Sequence, residues 1–539
     1  MDNEASQAGG FVPFSKKKVM TAPFRVIVSI LLASVVSITL LAQSGNQEVL
    51  EWHVIRTDQQ GKILPWFSSN LGASYDRNIR LVWEFWKDMR DCPNGVKYYL
   101  QHRFWKKRET NQGLGGDQVA MAMSSWNLLH QYLGDAAVKE NMVFLADYYL
   151  THSLSPPTDA WPNVPYPYNT EVHSGVYDGD LKAGKQFFQP DKAASFAAEL
   201  IVLYKITGSL KYLDAAIKIA DSLTDKIKVG DAENSPWPYR VHTRKDKVHT
   251  VVVNGVVHRA SYTANWAGAL RLFDELIALG EGRIADYQRA RGILVDWIKA
   301  YPLKTNRWGP FFEDIGTEVF SDTETNADTM ATYILEHPEW DPDWRRQAEG
   351  ILNWSLSTFG NRNWIDYGVV PINEQTAFMV PGNSHSSRHA SVELIFGEKT
   401  GDHSRTTDAI RRLNWATYMV NHDGKNRYPE GNIWLTDGYG DYVRHYLRAM
   451  AALPSLGPED QNHLLRTSSV VKSISYEDDT ISYEKFDQDS QERFKMGAWV
   501  PGSIQGGQMH WDATTRVLTV TSTHKFVSIS KHNAGASAR

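Results

Sequence analysis

Residues 364–406 read WIDYGVVPINEQTAFMVPGNSHSSRHASVELIFGEKTGDHSRT, and the order of features in this stretch recurs along the chain. A polar and aromatic loop comes first, carrying Asp366, Tyr367, Glu374, His385 and Arg388. A mostly apolar helix is expected over 389–400, stopped by Thr400-Gly401-Asp402, and an outer helix follows over 404–420. Loop, buried helix, tight turn and outer helix make one unit.

Working outward from this unit, amphipathic helices are expected at 78–90, 139–152, 211–226, 283–300, 341–359 and 404–420. Each has apolar residues at three- and four-residue spacing with charges between, the pattern of a helix with one wet face. Over 283–300 that apolar set is Ile284, Tyr287, Ala290, Ile293, Leu294, Trp297 and Ile298. Less charged helices at 117–133, 191–207, 262–279, 326–336, 389–400 and 439–453 are apolar on more than one side, as helices surrounded by others are. The joins between the two sets are alike. Gly134-Asp135, Gly208-Ser209, Gly280-Glu281 and Gly401-Asp402 each follow an inner helix, and His337-Pro338 does the same job. Glycine there takes the left-handed conformation that ends a helix, and Asp or Ser can start the next.

Six hairpins with a period of roughly 60 to 75 residues, short turns at one end and long loops at the other, describe a closed α/α toroid. An open α-solenoid with a protein-binding groove is the competing architecture. The spacing and turn pattern resembles the six-hairpin (α/α)6-barrel carbohydrate-active enzymes, which include glycoside hydrolases and polysaccharide lyases. The resemblance covers about residues 75–455 and matches no single family. It implies a mainly α fold, with an (α/α)6 toroid catalytic domain over 46–455. After Pro454 the texture changes: 468–483 and 516–529 alternate polar with apolar or β-branched residues, and a Gly-rich linker is expected at 502–507. A small β domain with a frayed C-terminus is therefore expected over 456–539, as support for the barrel or as a separate sugar-binding module.

Composition narrows the function. A formal net charge of −5 gives no general drive towards nucleic acid, so nucleic-acid partners are not expected. Nineteen Trp and 24 Tyr, many in loops, offer flat apolar faces with a polar edge that suit sugar stacking as well as core packing. Residues 25–42, RVIVSILLASVVSITLLA, follow Lys16, Lys17 and Lys18 and contain no acidic residue. Residues 1–45 thus read as a signal peptide or an N-terminal membrane anchor, placing the bulk of the chain outside the cytoplasm, periplasmic or secreted. The single Cys92 allows no internal disulfide.

Chemistry is expected on the six long loops, which a toroid gathers around its axis at one end. Trp237, Tyr239 and Arg240 in the third loop, Trp308 in the fourth and Tyr439 in the sixth are the expected substrate-binding residues. Asn254-Gly255 between β-branched runs predicts a hairpin. Arg240, His242, Arg244, Lys245, Lys247, His249, His258 and Arg259 would make it a basic wall, suited to an anionic glycan. Glycoside hydrolysis needs two carboxylates across a cleft, and Glu313 or Asp314 facing Glu374 or Asp437 would supply them. β-Elimination on a uronate glycan needs a carboxylate neutraliser, a base and an acid, and the run from Asn383 to His389, with His385 and Arg388, supplies those types. Asp117, Asp191 and Asp441 stand at helix starts, where capping explains them. No HExxH, CxxC pair or Walker loop is present, so no metal or cofactor is expected, although Tyr177-Asp178-Gly179-Asp180 carries a weak calcium-like pattern. These residues point to an exported enzyme on an oligo- or polysaccharide: a glycoside hydrolase with paired carboxylates or, as alternatives, a polysaccharide lyase or a non-catalytic glycan-binding protein.

Overall fold

The computed structural model describes residues 48–87, 116–171, 174–311, 320–426 and 438–532, with no side chain described for 116–118 or 438–441. Its helices are α1 (Leu71–Lys87), α2 (Gly116–Leu133), α3 (Ala136–His152), α4 (Pro190–Thr207), α5 (Leu210–Lys226), α6 (Ala267–Leu279) and α7 (Ile284–Ala300). They continue with the single turn α8 (Pro302–Thr305), then α9 (Glu324–Glu336), α10 (Trp344–Phe359), α11 (Asn383–Thr400), α12 (Thr406–Thr417) and α13 (Gly438–Ala452). Outer α7 buries one stripe, Tyr287, Ala290, Leu294, Trp297 and Ile298, as its periodicity predicts. Inner α11 instead buries every residue from Asn383 to Gly397, because neighbours surround it.

The inner helices form a closed ring. α2 packs on α4, α4 on α6, α6 on α9, α9 on α11, α11 on α13, and α13 returns to α2. That closure rules out the open solenoid. The sixth hairpin joins the two ends of the repeat: α1 lies against α13, where the Tyr75 and Tyr446 rings meet edge to face at 5.0 Å. Gly134, Gly208, Gly280 and Gly401 hold φ between 69° and 75°, so the predicted turns form as left-handed stops. Gly134 has a second duty, since a Cβ there would meet the Ile474 carbonyl at 2.9 Å, where the β domain approaches the ring.

From Asn462 to Lys531 eight strands make two four-stranded antiparallel sheets. Phe494, Leu518 and Val520 of one sheet and Ile481, Val527 and Ile529 of the other share one apolar core. The expected linker at 502–507 is instead parts of two strands, Pro501–Gln505 and Gly507–Asp512. Its glycines serve close strand approach: a Cβ on Gly502 would lie 2.6 Å from the His532 Cα. The sandwich sits on the short-turn end of the ring, where His463 stacks on Tyr132 at 3.9 Å and Arg466 and Arg493 both reach Glu398. Among the described residues no helix is long and apolar enough to cross a membrane; residues 25–42 and Cys92 lie outside them.

Candidate functional site

The N-terminal ends of the inner helices gather at the long-loop end, and α9 and α11 supply the densest chemistry there. Glu324 and Asp328 stand one turn apart on α9, and His385 and His389 stand one turn apart on the neighbouring α11. The two pairs meet as rungs. His385 Nδ1 lies 2.5 Å from Glu324 Oε1, and His389 Nδ1 lies 2.8 Å from Asp328 Oδ2. Arg388 donates from Nη1 to the same Glu324 oxygen at 2.5 Å and to Thr325 Oγ1 at 3.0 Å. All of these side chains are buried.

Glu374 faces His385 from the short strand Asn373–Gln375. Its Oε2 is 3.9 Å from His385 Nε2, and its Oε1 accepts from Gln375 Nε2 at 3.0 Å. His385 therefore stands between two glutamates, oriented by one through Nδ1 and turned to the other through Nε2. With the proton on Nδ1, hydrogen-bonded to Glu324, Nε2 is left as the basic nitrogen. This geometry lets the imidazole take or give a proton at Nε2 while Glu324 stabilises the imidazolium.

One turn deeper, His389 is a structural cation. Burial alone would lower its imidazole, but Asp328 and Glu393 on its two sides outweigh that and raise it to about 9. Glu393, 3.4 Å from His389 Nε2, is in turn ion-paired with Arg412, and Asp328 also accepts from Ser355 Oγ at 2.7 Å. This network fixes the register of α11 under the His385 rung.

A small cavity of about 70 Å³ opens on the axis beside these rungs, with Lys192, Glu199, Asn265, Arg271, Thr325 and Arg444 in its lining. Lys192 Nζ pairs with Asp191 at 3.0 Å and donates to the Phe311 carbonyl at 3.1 Å, and Arg271 pairs with Glu199 at 2.8 Å. Burial lowers the Arg444 guanidinium to about 10, Glu199 opposing and Arg271 adding to the shift. Among the described residues Lys192, Arg271 and Arg444 stand here against the carboxylates of Asp191 and Glu199.

Glu374, His385 and Arg388 are thus brought together with Glu324. Glu313, Asp314 and Asp437, and the side chain of Tyr439, lie outside the described residues. The structure places the expected substrate-binding residues of the third and fourth loops in buried positions. Trp237 is fully enclosed against Trp266 and donates to the Leu223 carbonyl, and Trp308 is fully enclosed beside Asn306. Tyr239 is buried with its hydroxyl on the Phe311 carbonyl, and Arg240 has no exposed surface, paired at 2.9 Å with Asp180. Large rings bury most area as wedges between hairpins, and a buried guanidinium needs its carboxylate, so these loop positions serve the core.

Asp180 also accepts from the amides of Lys182 and Ala183 and from Gln189, which gives the calcium-like run an ion-pairing role. The predicted hairpin forms, Thr250–Val253 with Val256–Arg259, but of its basic set Arg240 and His242 face inward. Arg244, Lys245, Lys247 and Arg259 remain exposed. Asp191 is no cap either: Gln189 is the N-cap of α4, and the Asp191 carboxylate accepts from Lys192 and Asn265.

Asp328, Glu393, Arg412, Lys192 and Arg444 were outside the expected site, and Glu324 was one carboxylate among many in its loop. A usable signal exists in hindsight. Glu324/Asp328 and His385/His389 share a four-residue spacing on two inner helices, which aligns acids with imidazoles rung by rung.

A ring of six helical hairpins with its chemistry at the long-loop end defines the six-hairpin (α/α)6-toroid fold, and this chain has it. No protein-family model and no curated protein sequence matches the chain. Solved structures do match. The cellobiose 2-epimerase of Spirochaeta thermophila is similar at 13% identity over 72% of this chain and 100% of that one, with a TM-score of 0.50. A family 76 glycoside hydrolase from a bovine Bacteroides thetaiotaomicron strain is similar at 10% identity over 72% of this chain and 79% of its own, with a TM-score of 0.48. An unsaturated glucuronyl hydrolase specific for heparin reaches 10% identity over 72% and 99%, with a TM-score of 0.42. At these identities the likeness concerns the fold and not the reaction.

Proposed function

We propose that this chain is a carbohydrate-active enzyme whose reaction is proton transfer at a sugar carbon, carried by His385 at the long-loop end of the toroid. The observation behind this reading is His385 held on Nδ1 by Glu324 and turned through Nε2 towards Glu374 at 3.9 Å. On a uronate-containing glycan, Nε2 takes the proton from C5, the C4–O bond breaks, and C4=C5 forms. The leaving oxygen then receives a proton from the His385–Glu374 pair on the same side. The cationic donors of Lys192, Arg271 and Arg444 in the axial cavity suit a carboxylate-bearing sugar.

Hydrolysis is the second reading, and Glu374 is the residue that favours it. Its partner would come from Glu313, Asp314 or Asp437, because Glu324 is already engaged by a guanidinium and an imidazole. The apolar run at 25–42 supports a site of action outside the cytoplasm, where such polymers are met.

Incubation with a panel of uronate and neutral glycans separates the readings. Elimination gives a growing ultraviolet absorbance from the unsaturated uronate, one double bond for each new reducing end. Reducing ends without that absorbance mean hydrolysis. No product from any glycan, with binding retained, would discard both.

A further inference from the structure

At the opposite end of the ring, between the inner helices and the β sandwich, lies a cavity of about 340 Å³, within the range of small-ligand sites and at the kind of junction where they occur. Gln131, Lys399, Arg448, Arg466 and Ser469 line its polar side, and Leu465 and Met450 stand among its apolar walls. Among the described residues of that lining Glu336 is the single carboxylate, against three cations. Glu398, which neutralises Arg466, lies behind the wall and is shared with Arg493.

The C-terminal ends of α2, α9, α11 and α13 converge here, and cations in the last turn of a helix commonly offset its partial negative charge. That accounts for Lys399, in the last turn of α11. It does not account for Arg448. This side chain is half-buried one turn before the end of α13 and makes no hydrogen bond or ion pair among the described residues. Burial lowers its guanidinium to about 10, Arg444 and Arg271 adding to the effect and Glu336 opposing it. A guanidinium with five donors that lines a cavity and meets no acceptor among the described residues is a group waiting for one.

We infer that this cavity is a second binding site, for a small sugar acid of monosaccharide size. Arg448 of the toroid and Lys399 would hold the carboxylate, Gln131 and Ser469 would meet hydroxyls, and Leu465 and Met450 would cover an apolar ring face. Bound there, the ligand would bridge the toroid and the sandwich. The assignment is independent of the reaction at the other end of the ring.

Calorimetry and thermal unfolding of the full chain with D-glucuronate, glucose and sulfate as probes test it. Glucuronate should bind and raise Tm with concentration, glucose should do neither, and sulfate should be weaker than glucuronate. Arg448→Gln, and the exposed Lys399→Gln should the first fail to fold, should weaken glucuronate by about tenfold or more, the effect of losing one charge-assisted contact. Lys192→Gln removes only such glucuronate as the axial cavity takes, so the binding component that Arg448→Gln weakens should persist in it. The assignment is overturned by any of three results: no glucuronate binding, binding lost in Lys192→Gln but kept in Lys399→Gln, or sulfate equal to glucuronate, which would mean an unspecific anion site.

Discussion

Glu324→Ala is expected to lower stability by roughly 3–5 kcal/mol, the cost of leaving a buried cation without its carboxylate. Arg388 and His385 both rest on one oxygen of that side chain, and both are almost without solvent contact. The loss would appear as a lower urea midpoint at neutral pH with an unchanged slope. A second change separates packing from chemistry. Replacing the pair together, Glu324→Leu with Arg388→Met, should recover much of the stability, because an apolar pair of similar volume no longer carries an unpaired charge. It should not recover turnover, since His385 would still lack the group that orients it. A Glu324→Ala protein as stable as the parent would contradict the rung geometry.

The second large effect is a pH dependence carried by His389. Its imidazole stands at about 9 in the folded chain against 6.5 when unperturbed, so the folded state binds the proton more tightly. The contribution is fully present below about pH 6.5 and is lost as pH rises through 9, amounting to roughly 3 kcal/mol between those limits. Glu393 acts in the opposite sense. Burial would raise its carboxyl, but Arg412 and His389 bring it below the usual value, so its contribution is lost on acidification. His389→Gln should therefore unfold at lower urea than the parent at pH 6. The two midpoints should converge by pH 9.5. A parent midpoint that stays level from pH 6 to 9.5 would show that His389 carries no such charge.

The toroid was legible because its signals are local. Each outer helix shows its wet face in the spacing of a few residues, and each turn shows its glycine. Two starts were displaced for a physical reason. α11 begins at Asn383 rather than His389, and α9 at Glu324 rather than Asn326, because their first turns are polar and read as loop. Those polar groups find partners on the neighbouring inner helix, so the backbone stays helical. The pairing of α1 with α13 was hidden in the same way, as it joins residues at opposite ends of the repeat.

The site was legible as residue types and not as contacts. His385, Arg388 and Glu374 were readable from one loop, whereas the carboxylate that organises them lies 61 positions from His385 and had several acidic neighbours as rivals. The aromatic residues were ambiguous for the opposite reason. Trp237 and Trp308 combine a large apolar face with a polar edge, which suits a sugar and equally a wedge between hairpins, and burial alone decides between them.

Turnover of His385→Gln tests the central claim most directly. With a glycan that the parent converts, the variant should keep its fold by circular dichroism and its affinity for that glycan, and should lose turnover by about 10²–10⁴-fold, the contribution of a positioned acid–base group. Turnover within a few-fold of the parent would place the chemistry elsewhere in the molecule and reduce His385 to a structural histidine.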